Sequence, residues 1–125
     1  MSKRILIVED SPAMRQLLLL AIRRFPKIEV DEVGDGVAAL RALAQADYDV
    51  VFLDLNMPVL DGMKLIKRMR EDSRYAATKI VVVTTEENPD VQRQALELGA
   101  DQYVRKPVNR RAIEQVLRAL MAPDS

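Results

Sequence analysis

The chain has 125 residues, of which 49% are hydrophobic and 30% charged, and its formal net charge is +0. Such a length is near the most common domain size, so we expect one domain, residues 1–125, with a substantial core. The balanced charge disfavours nucleic-acid binding, and the absence of Cys and His excludes a disulfide, a thiolate nucleophile, a Cys/His zinc site and a Ser-His-Asp triad.

The predicted strands are short apolar runs separated by polar segments. They lie at residues 5–8, 28–33, 50–53, 80–83 and 102–104. The first, third and fourth runs are continuous and rich in β-branched residues, which is typical of buried strands in a parallel sheet. The second and fifth runs are weaker and predict edge strands.

A segment of helical period follows each predicted strand. The first helix has a clear start, with Ser11 as N-cap and Pro12 in the first helical position. Asp61 is a plausible cap for the third helix, and Gly99 is expected to end the fourth. The apolar positions that define the five helices are, in chain order, Met14, Leu17, Leu18, Ala21, Ile22 and Phe25; Val37, Leu40, Leu43 and Ala44; Leu65, Ile66 and Met69; Val91, Ala95 and Leu98; and Ile113, Val116, Leu117 and Leu120.

This fivefold alternation predicts a doubly wound α/β domain, with a five-stranded parallel sheet and helices on both faces. Residues 122–125 are expected to form a frayed tail. In such sheets a ligand site lies beyond the carboxyl ends of the strands. The polar residues found there are Glu9 and Asp10 after the first strand, Asp54 after the third, Thr84 and Thr85 after the fourth, and Lys106 after the fifth.

Those residue types favour a magnesium-dependent phosphoryl site. Three neighbouring carboxylates repel one another unless a cation intervenes, and Mg²⁺ prefers oxygen ligands. Lys106 would stabilise charge on a phosphoryl group, and the Thr84 hydroxyl would donate a hydrogen bond to it. Taken singly, each has a simpler explanation: Glu9 and Asp10 as a solvated helix entry, Thr84 as a strand former and Lys106 as a surface lysine. Asp54, directly after an apolar strand, favours the site.

Four motifs resemble the receiver domains of two-component response regulators, and more narrowly the single-domain chemotaxis (CheY-like) type. They are ILIVEDS at 5–11, DVVFLDLNMPVLDG at 49–62, IVVVTTEE at 80–87 and GADQYVRKP at 99–107. Their order and spacing make the resemblance specific over nearly the whole chain. It implies a flavodoxin-like fold with strand order 2-1-3-4-5.

The resemblance also implies which residues bind the metal. Asp54 would be the phosphoacceptor. The side chains of Asp10 and Asp54 and the backbone carbonyl of Asn56 would bind Mg²⁺, and Glu9 would reach the ion through water.

Further roles implied by the resemblance concern the phosphoryl group and the switch. Thr84 and Lys106 would contact the phosphoryl group, and the movement of Thr84 would let Tyr103 rotate from an exposed to a buried position. A cis peptide bond is implied before Pro107.

Three residues bear on the lifetime of the phosphorylated state. Asn56 with Glu86 resembles the chemotaxis type, in which the phosphoryl group turns over quickly. Thr85 is bulkier than the residue usual at its position, and that bulk would restrict entry of donor or water. The two arguments oppose each other.

The resemblance implies a signalling switch that assists only its own phosphorylation and dephosphorylation. The phosphoryl group would come from a histidine kinase or phosphotransfer protein, because the chain has no His of its own. The fourth helix, fifth strand and fifth helix would bind a downstream effector, for which a flagellar motor switch protein is an option. Four arginines on that surface are candidate contacts, although a solvated charged face is the favoured explanation for them: Arg105, Arg110, Arg111 and Arg118.

A cytoplasmic monomer is expected, with no membrane partner. The longest purely apolar run, residues 17–22, is far shorter than the roughly 20 residues that a membrane span needs. The amino terminus shows no signal-peptide pattern.

Two other functions also use polar residues at strand ends, and each needs a residue pattern that this chain lacks. A magnesium-dependent phosphatase of the haloacid dehalogenase class, or a nuclease, usually needs a second acid two residues after the nucleophile, where this chain has Asn56. A flavodoxin-like nucleotide-binding module needs a Gly- or Ser/Thr-rich loop after the first strand, where this chain has Glu9 and Asp10.

Overall fold

The alternation predicted from the sequence is present in the computed structural model, which describes residues 3–57 and 59–121. The predicted tail, residues 122–125, lies outside this range. The described elements, in chain order, are β1 Lys3–Val8, α1 Pro12–Ile22, β2 Ile28–Val33, α2 Gly36–Gln45, β3 Val50–Leu53, α3 Gly62–Arg70, a 3₁₀ turn Ser73–Tyr75, β4 Lys79–Thr84, α4 Pro89–Leu98, β5 Gln102–Arg105 and α5 Arg110–Met121.

The sheet is parallel throughout, with the strands in the order β2-β1-β3-β4-β5. This order confirms the predicted fold and places the two weak strands at the edges. Side chains of α1 and α5 pack on one face of the sheet, and those of α2, α3 and α4 pack on the other. The central strands are therefore apolar on both faces, which explains their continuous runs of Val, Ile and Leu.

Local side-chain chemistry sets the helix starts and ends. The Ser11 hydroxyl accepts a hydrogen bond from the Met14 N–H at 3.3 Å, and Asp61 accepts one from the Lys64 N–H at 2.9 Å. Gly99 ends α4 with a φ of 123°, a conformation that favours glycine. All three residues act where the sequence predicted a cap or stop.

The strands differ from the predictions mainly at their ends. β1 begins two residues earlier than predicted, because the Lys3 N–H bonds the Lys27 carbonyl at 2.9 Å. β4 extends by one residue at each end, to Lys79 and Thr84. These additions are made by backbone pairing with neighbouring strands, which the side-chain pattern does not reveal.

Connectivity places the ligand site. The chain leaves β1 and β3 toward opposite faces of the sheet, so the carboxyl ends of these adjacent strands border a crevice at the switch point. Among the described helices, none has the length and apolar character needed to cross a membrane.

Before β3, the buried Tyr48 joins a polar cluster with the partly exposed side chains of Arg4 and Asp31. Its hydroxyl donates a hydrogen bond to Asp31 Oδ2 at 2.6 Å, and Arg4 Nε donates to the same oxygen at 3.2 Å. Burial, with the hydrogen bond and the negative charge of Asp31 adding to it, raises the pKa of Tyr48 to about 12. The cluster ties β1 and β2 to the segment before β3.

Tyr48 should make the protein sensitive to alkali. Above a pH of about 10 an unfolded chain loses the tyrosine proton while the folded protein keeps it, so folding stability should fall as the pH rises toward about 12. Tyr48→Phe should remove this contribution and cost about 1–3 kcal/mol at neutral pH through the lost hydrogen bond to a carboxylate. Urea unfolding of both proteins across the window measures the two effects, and parallel pH profiles would contradict the expectation.

Candidate active site at the carboxyl ends of the strands

Strand register brings the acidic residues together. Val8 at the end of β1 pairs with Leu53 at the end of β3, and the Asp54 N–H bonds the Val8 carbonyl at 3.3 Å. Glu9 and Asp54 are both buried, with 2% and 6% of their surface exposed, whereas Asp10 is exposed. The three residues offer carboxylate oxygens within 4.8 Å of one another. The predicted acidic cluster is thus present.

The Asp54 carboxylate is oriented by two hydrogen bonds. Its Oδ1 accepts the backbone N–H of Asn56 at 3.1 Å, and its Oδ2 accepts the ammonium of Lys106 at 2.9 Å. Both contacts fix the side chain in the crevice rather than in solvent. A buried, oriented carboxylate of this kind is available as a nucleophile or a metal ligand.

Lys106 lies between two carboxylates. Its Nζ is 3.2 and 3.1 Å from the two oxygens of Glu9 and 2.9 Å from Asp54 Oδ2. The backbone holds it there, because the Lys106 N–H bonds the Thr84 carbonyl at 2.7 Å. The peptide bond between Lys106 and Pro107 is cis, as the resemblance implied. Burial lowers the pKa of Lys106, but its bonds to Asp54 and Glu9 outweigh burial and place the pKa above its ordinary value. Lys106 therefore stays charged.

Glu9 has a more specific setting than the resemblance implied. Besides Lys106, its Oε1 accepts the backbone N–H of Ser11 at 3.2 Å. Burial raises the pKa of Glu9 above its ordinary value, and the hydrogen bond from Lys106 opposes this only in part. Glu9 is thus held by Lys106 as well as lying among the candidate metal ligands.

The donor set fits a hard divalent cation. Three carboxylates face one ammonium, so negative charge remains in excess at the cluster. Asp10 is exposed, which leaves a solvent side open for the waters that Mg²⁺ tends to keep. Asn56 lies two residues after Asp54 in the β3–α3 loop, and its N–H donates a hydrogen bond to Asp54 Oδ1. The three carboxylates are oxygen donors of the kind that Mg²⁺ prefers, and the contact shown for Asn56 is made by its N–H.

Thr84 and Tyr103 both form hydrogen bonds with the loop that follows β4. Thr84 is fully buried, and its hydroxyl oxygen accepts the Glu86 N–H at 3.4 Å. Tyr103 is half-buried and its hydroxyl donates to the Glu86 carbonyl at 3.2 Å. Burial and the charge of Glu86 raise the pKa of Tyr103. Both predicted switch residues therefore contact the backbone of one residue, whereas Thr85 beside them is exposed.

Sequence reasoning did not identify Gly62 as part of the site. A Cβ atom at this position would overlap the Asp54 carbonyl and lie 2.7 Å from the Leu55 Cα. The Gly62 N–H also bonds the Leu55 carbonyl at 3.0 Å. The start of α3 thus packs directly on the backbone of Asp54, and the only sequence signal was the glycine that follows the cap residue Asp61.

Comparison with known sequences identifies a family. Residues 5–118 match the response regulator receiver domain family. Chemotaxis protein CheY1 of Helicobacter pylori is 33% identical over 119 residues, which cover 94% of this chain and 96% of that protein. Transcriptional regulatory protein ResD of Bacillus subtilis is 32% identical over 118 residues, which cover 94% of this chain and 48% of that protein.

Solved structures of response regulators and receiver domains have the same fold as this chain. The chemotaxis response regulator CheY4 of Vibrio cholerae has a TM-score of 0.87 at 31% identity, covering 96% of this chain and 99% of that chain. The receiver domain of a Pseudomonas aeruginosa sensor histidine kinase has a TM-score of 0.86 at 25% identity, covering 98% of this chain and 100% of that chain. That structure is described with a magnesium ion coordinated in the active site cleft.

Proposed function

The chain belongs to the response regulator receiver domain family, and from this premise we propose that Asp54 accepts a phosphoryl group in a two-component phosphorelay. The observation that supports this most strongly is the contact of Lys106 Nζ with Asp54 Oδ2 at 2.9 Å, beside the acidic pair Glu9 and Asp10. A nucleophilic carboxylate, a fixed cation and an oxygen-rich cluster are the groups that phosphoryl transfer needs.

In the proposed reaction an Asp54 oxygen attacks the phosphorus of a phosphohistidine on a kinase or phosphotransfer protein. The new O–P bond forms as the N–P bond breaks, and the imidazole of the donor leaves. Lys106 then exchanges part of its contact with the Asp54 carboxylate for a contact with a phosphoryl oxygen. Since Lys106 is held in place by Glu9 as well, it needs little rearrangement to stabilise the spreading charge.

Receiver domains bind Mg²⁺ at an acidic pocket, and we assign this role to Glu9, Asp10, Asp54 and the Asn56 carbonyl. When bound, the ion would neutralise phosphoryl oxygens and lower their repulsion from the carboxylates. The protein's own contribution is to bring the carboxylates close together and to orient Asp54 through the Asn56 N–H.

The proposed switch runs through the loop that follows β4. A phosphoryl oxygen on Asp54 would attract the Thr84 hydroxyl, which in the structure accepts the Glu86 N–H. Displacement of Thr84 would disturb the Glu86 backbone, whose carbonyl holds the Tyr103 hydroxyl. The Tyr103 side chain would then rotate to a more buried position, and the surface formed by α4, β5 and α5 would change.

That surface is the proposed output site. A downstream protein would bind it, and the similarity to chemotaxis proteins makes a flagellar motor switch protein our proposed class of partner. The exposed arginines there remain consistent with a solvated face, because Arg110 already lies 3.7 Å from the Glu114 carboxylate on the same helix.

Receiver domains are signalling switches rather than ordinary enzymes, and phosphate stoichiometry can test whether this chain behaves as one. With Mg²⁺ and acetyl phosphate, we expect at most one phosphoryl group per chain, and we expect no sustained release of phosphate from a generic phosphate monoester. Phosphate release from the monoester that continues over many equivalents would instead indicate a phosphatase, whereas continued release from acetyl phosphate also follows from turnover of the acyl phosphate.

The same labelled protein gives the lifetime of the acyl phosphate once the donor is removed. Asn56 and Thr85 are both exposed, and we propose that each acts on an incoming water. We propose fast turnover on the pattern of Asn56 with Glu86. A lifetime of hours would contradict this and would favour the restrictive effect of the Thr85 side chain.

A further inference from the structure

Gly36, the first residue of α2, lies in contact with the loop between β3 and α3. That loop runs from residue 54 to residue 61, and all of it except residue 58 is described. A Cβ atom on Gly36 would lie 2.5 Å from the Leu60 carbonyl oxygen, 2.8 Å from its Cβ and 3.1 Å from its Cδ2. Side chains do not approach backbone this closely, so any residue other than glycine would force a shift.

The reason for glycine here is space rather than conformation. Gly99 has a positive φ, whereas Gly36 has an ordinary backbone conformation that other residues can adopt. Gly34, two residues earlier, has open space: a Cβ there would meet only the end of the Arg15 side chain at 3.8 Å. The chain therefore contains a tight glycine and a loose glycine within the same turn.

The loop would yield before the helix does. Helix α2 is anchored in the core by Ala39 and Leu43, which are 0% and 2% exposed, and its start is capped by Asp35. The loop contains Val59, which is 83% exposed and has a φ of 69°, a strained conformation for a β-branched residue. A side chain at position 36 would therefore displace Leu60 rather than α2.

Displacement of Leu60 would reach the acidic cluster through the backbone. Asn56 belongs to the same loop, and its N–H orients Asp54 at 3.1 Å. The loop is also pinned to the start of α3 by the bond between the Gly62 N–H and the Leu55 carbonyl at 3.0 Å. Because this bond holds both Leu55 and Gly62, a displacement of Leu60 must be taken up by the residues between them, which include Asn56.

We infer that Gly36 is a positioning residue for the metal site, because its missing side chain lets α2 hold the β3–α3 loop, and with it Asn56, against the acidic cluster. This inference rests on the proposed magnesium site. It assigns to the start of α2, which contributes no ligand, control over how well Asn56 and Asp54 are placed.

Gly36→Ala should raise the Mg²⁺ dissociation constant about tenfold, the scale seen when residues that orient ligands are changed. It should also speed amide hydrogen exchange in the β3–α3 loop, a measurement that needs no metal. Gly34→Ala is the matched control and should leave both quantities unchanged. Leu117→Ala, a buried change in α5 on the other face of the sheet, controls for general destabilisation: it should lower the unfolding midpoint without changing Mg²⁺ affinity in the folded protein.

Leu60→Ala alters the same contact from the loop side and is expected to act in the same direction, which keeps the test open should Gly36→Ala not fold. If both variants keep wild-type exchange in the loop and wild-type affinity, the inference is wrong. If wild-type protein and Gly34→Ala fail to bind Mg²⁺, the proposed magnesium site fails instead, and with it the positioning role, whatever the exchange data show.

Discussion

Replacing Lys106 with methionine is expected to slow phosphorylation of Asp54 by roughly 10²- to 10³-fold, the usual cost of removing one preorganised donor from a transition state. Methionine keeps the length of the side chain but lacks the ammonium that lies 2.9 Å from Asp54 Oδ2. The rate of labelling by acetyl phosphate at saturating Mg²⁺ measures the effect. Lys79→Met, at the exposed start of β4, is the control and should label at the wild-type rate.

The same variant should also be less stable without Mg²⁺. Glu9 and Asp54, with 3% and 8% of their side chains exposed, would lose the cation between them, and an unpaired buried charge costs about 3–5 kcal/mol. Burial already raises the pKa of Glu9, so the variant should bind a proton there as the pH falls, and its deficit should shrink as the pH approaches that raised pKa. Urea unfolding in EDTA and in Mg²⁺ measures this loss in the free energy of unfolding.

A wild-type rate of labelling by acetyl phosphate in Lys106→Met would show that Lys106 takes no part in the phosphoryl transfer.

Asp10→Asn is expected to weaken Mg²⁺ binding by at least about tenfold, because it removes the solvent-exposed carboxylate of the acidic cluster. Glu9 and Asp54 are already bonded to Lys106, whereas no such bond to Asp10 is present among the described residues. Labelling by acetyl phosphate should fall in parallel and recover in part at high Mg²⁺ concentration.

Calorimetric titration with Mg²⁺ measures the affinity directly. Asp47→Asn, at an exposed position before β3, removes the same charge away from the cluster and should bind Mg²⁺ like the wild type. An unchanged affinity in Asp10→Asn would show that the ion is not held as we propose.

The sequence predicted the fold well, because its signals are local. A buried parallel strand is recognisable from an unbroken apolar run such as residues 50–53, and β3 has these bounds in the structure. Ser11 and Asp61 are caps that announce a helix start by side-chain type alone. The grouping of Glu9, Asp10 and Asp54 was also accessible, since topology alone brings residues that follow parallel strands to one edge.

Contacts between distant side chains could not be read in the same way. The pair of Glu9 and Lys106 spans 97 positions, and whether a lysine bonds one carboxylate or two depends on side-chain geometry that no local pattern encodes. The need for glycine at position 36 likewise arises from the closeness of Leu60, which lies in another loop. The 3₁₀ turn Ser73–Tyr75 was missed because three residues are too few to show a period.

The measurement that tests the central claim most directly is the mass of the protein after incubation with acetyl phosphate and Mg²⁺, for the wild type and for Asp54→Asn. The wild type should gain the mass of one phosphoryl group, located at Asp54 by fragmentation, and should lose it in alkali or hydroxylamine as an acyl phosphate does. Asp54→Asn should gain none, although it should fold. Phosphoryl labelling of Asp54→Asn at the wild-type level would contradict the assignment of Asp54 as the acceptor.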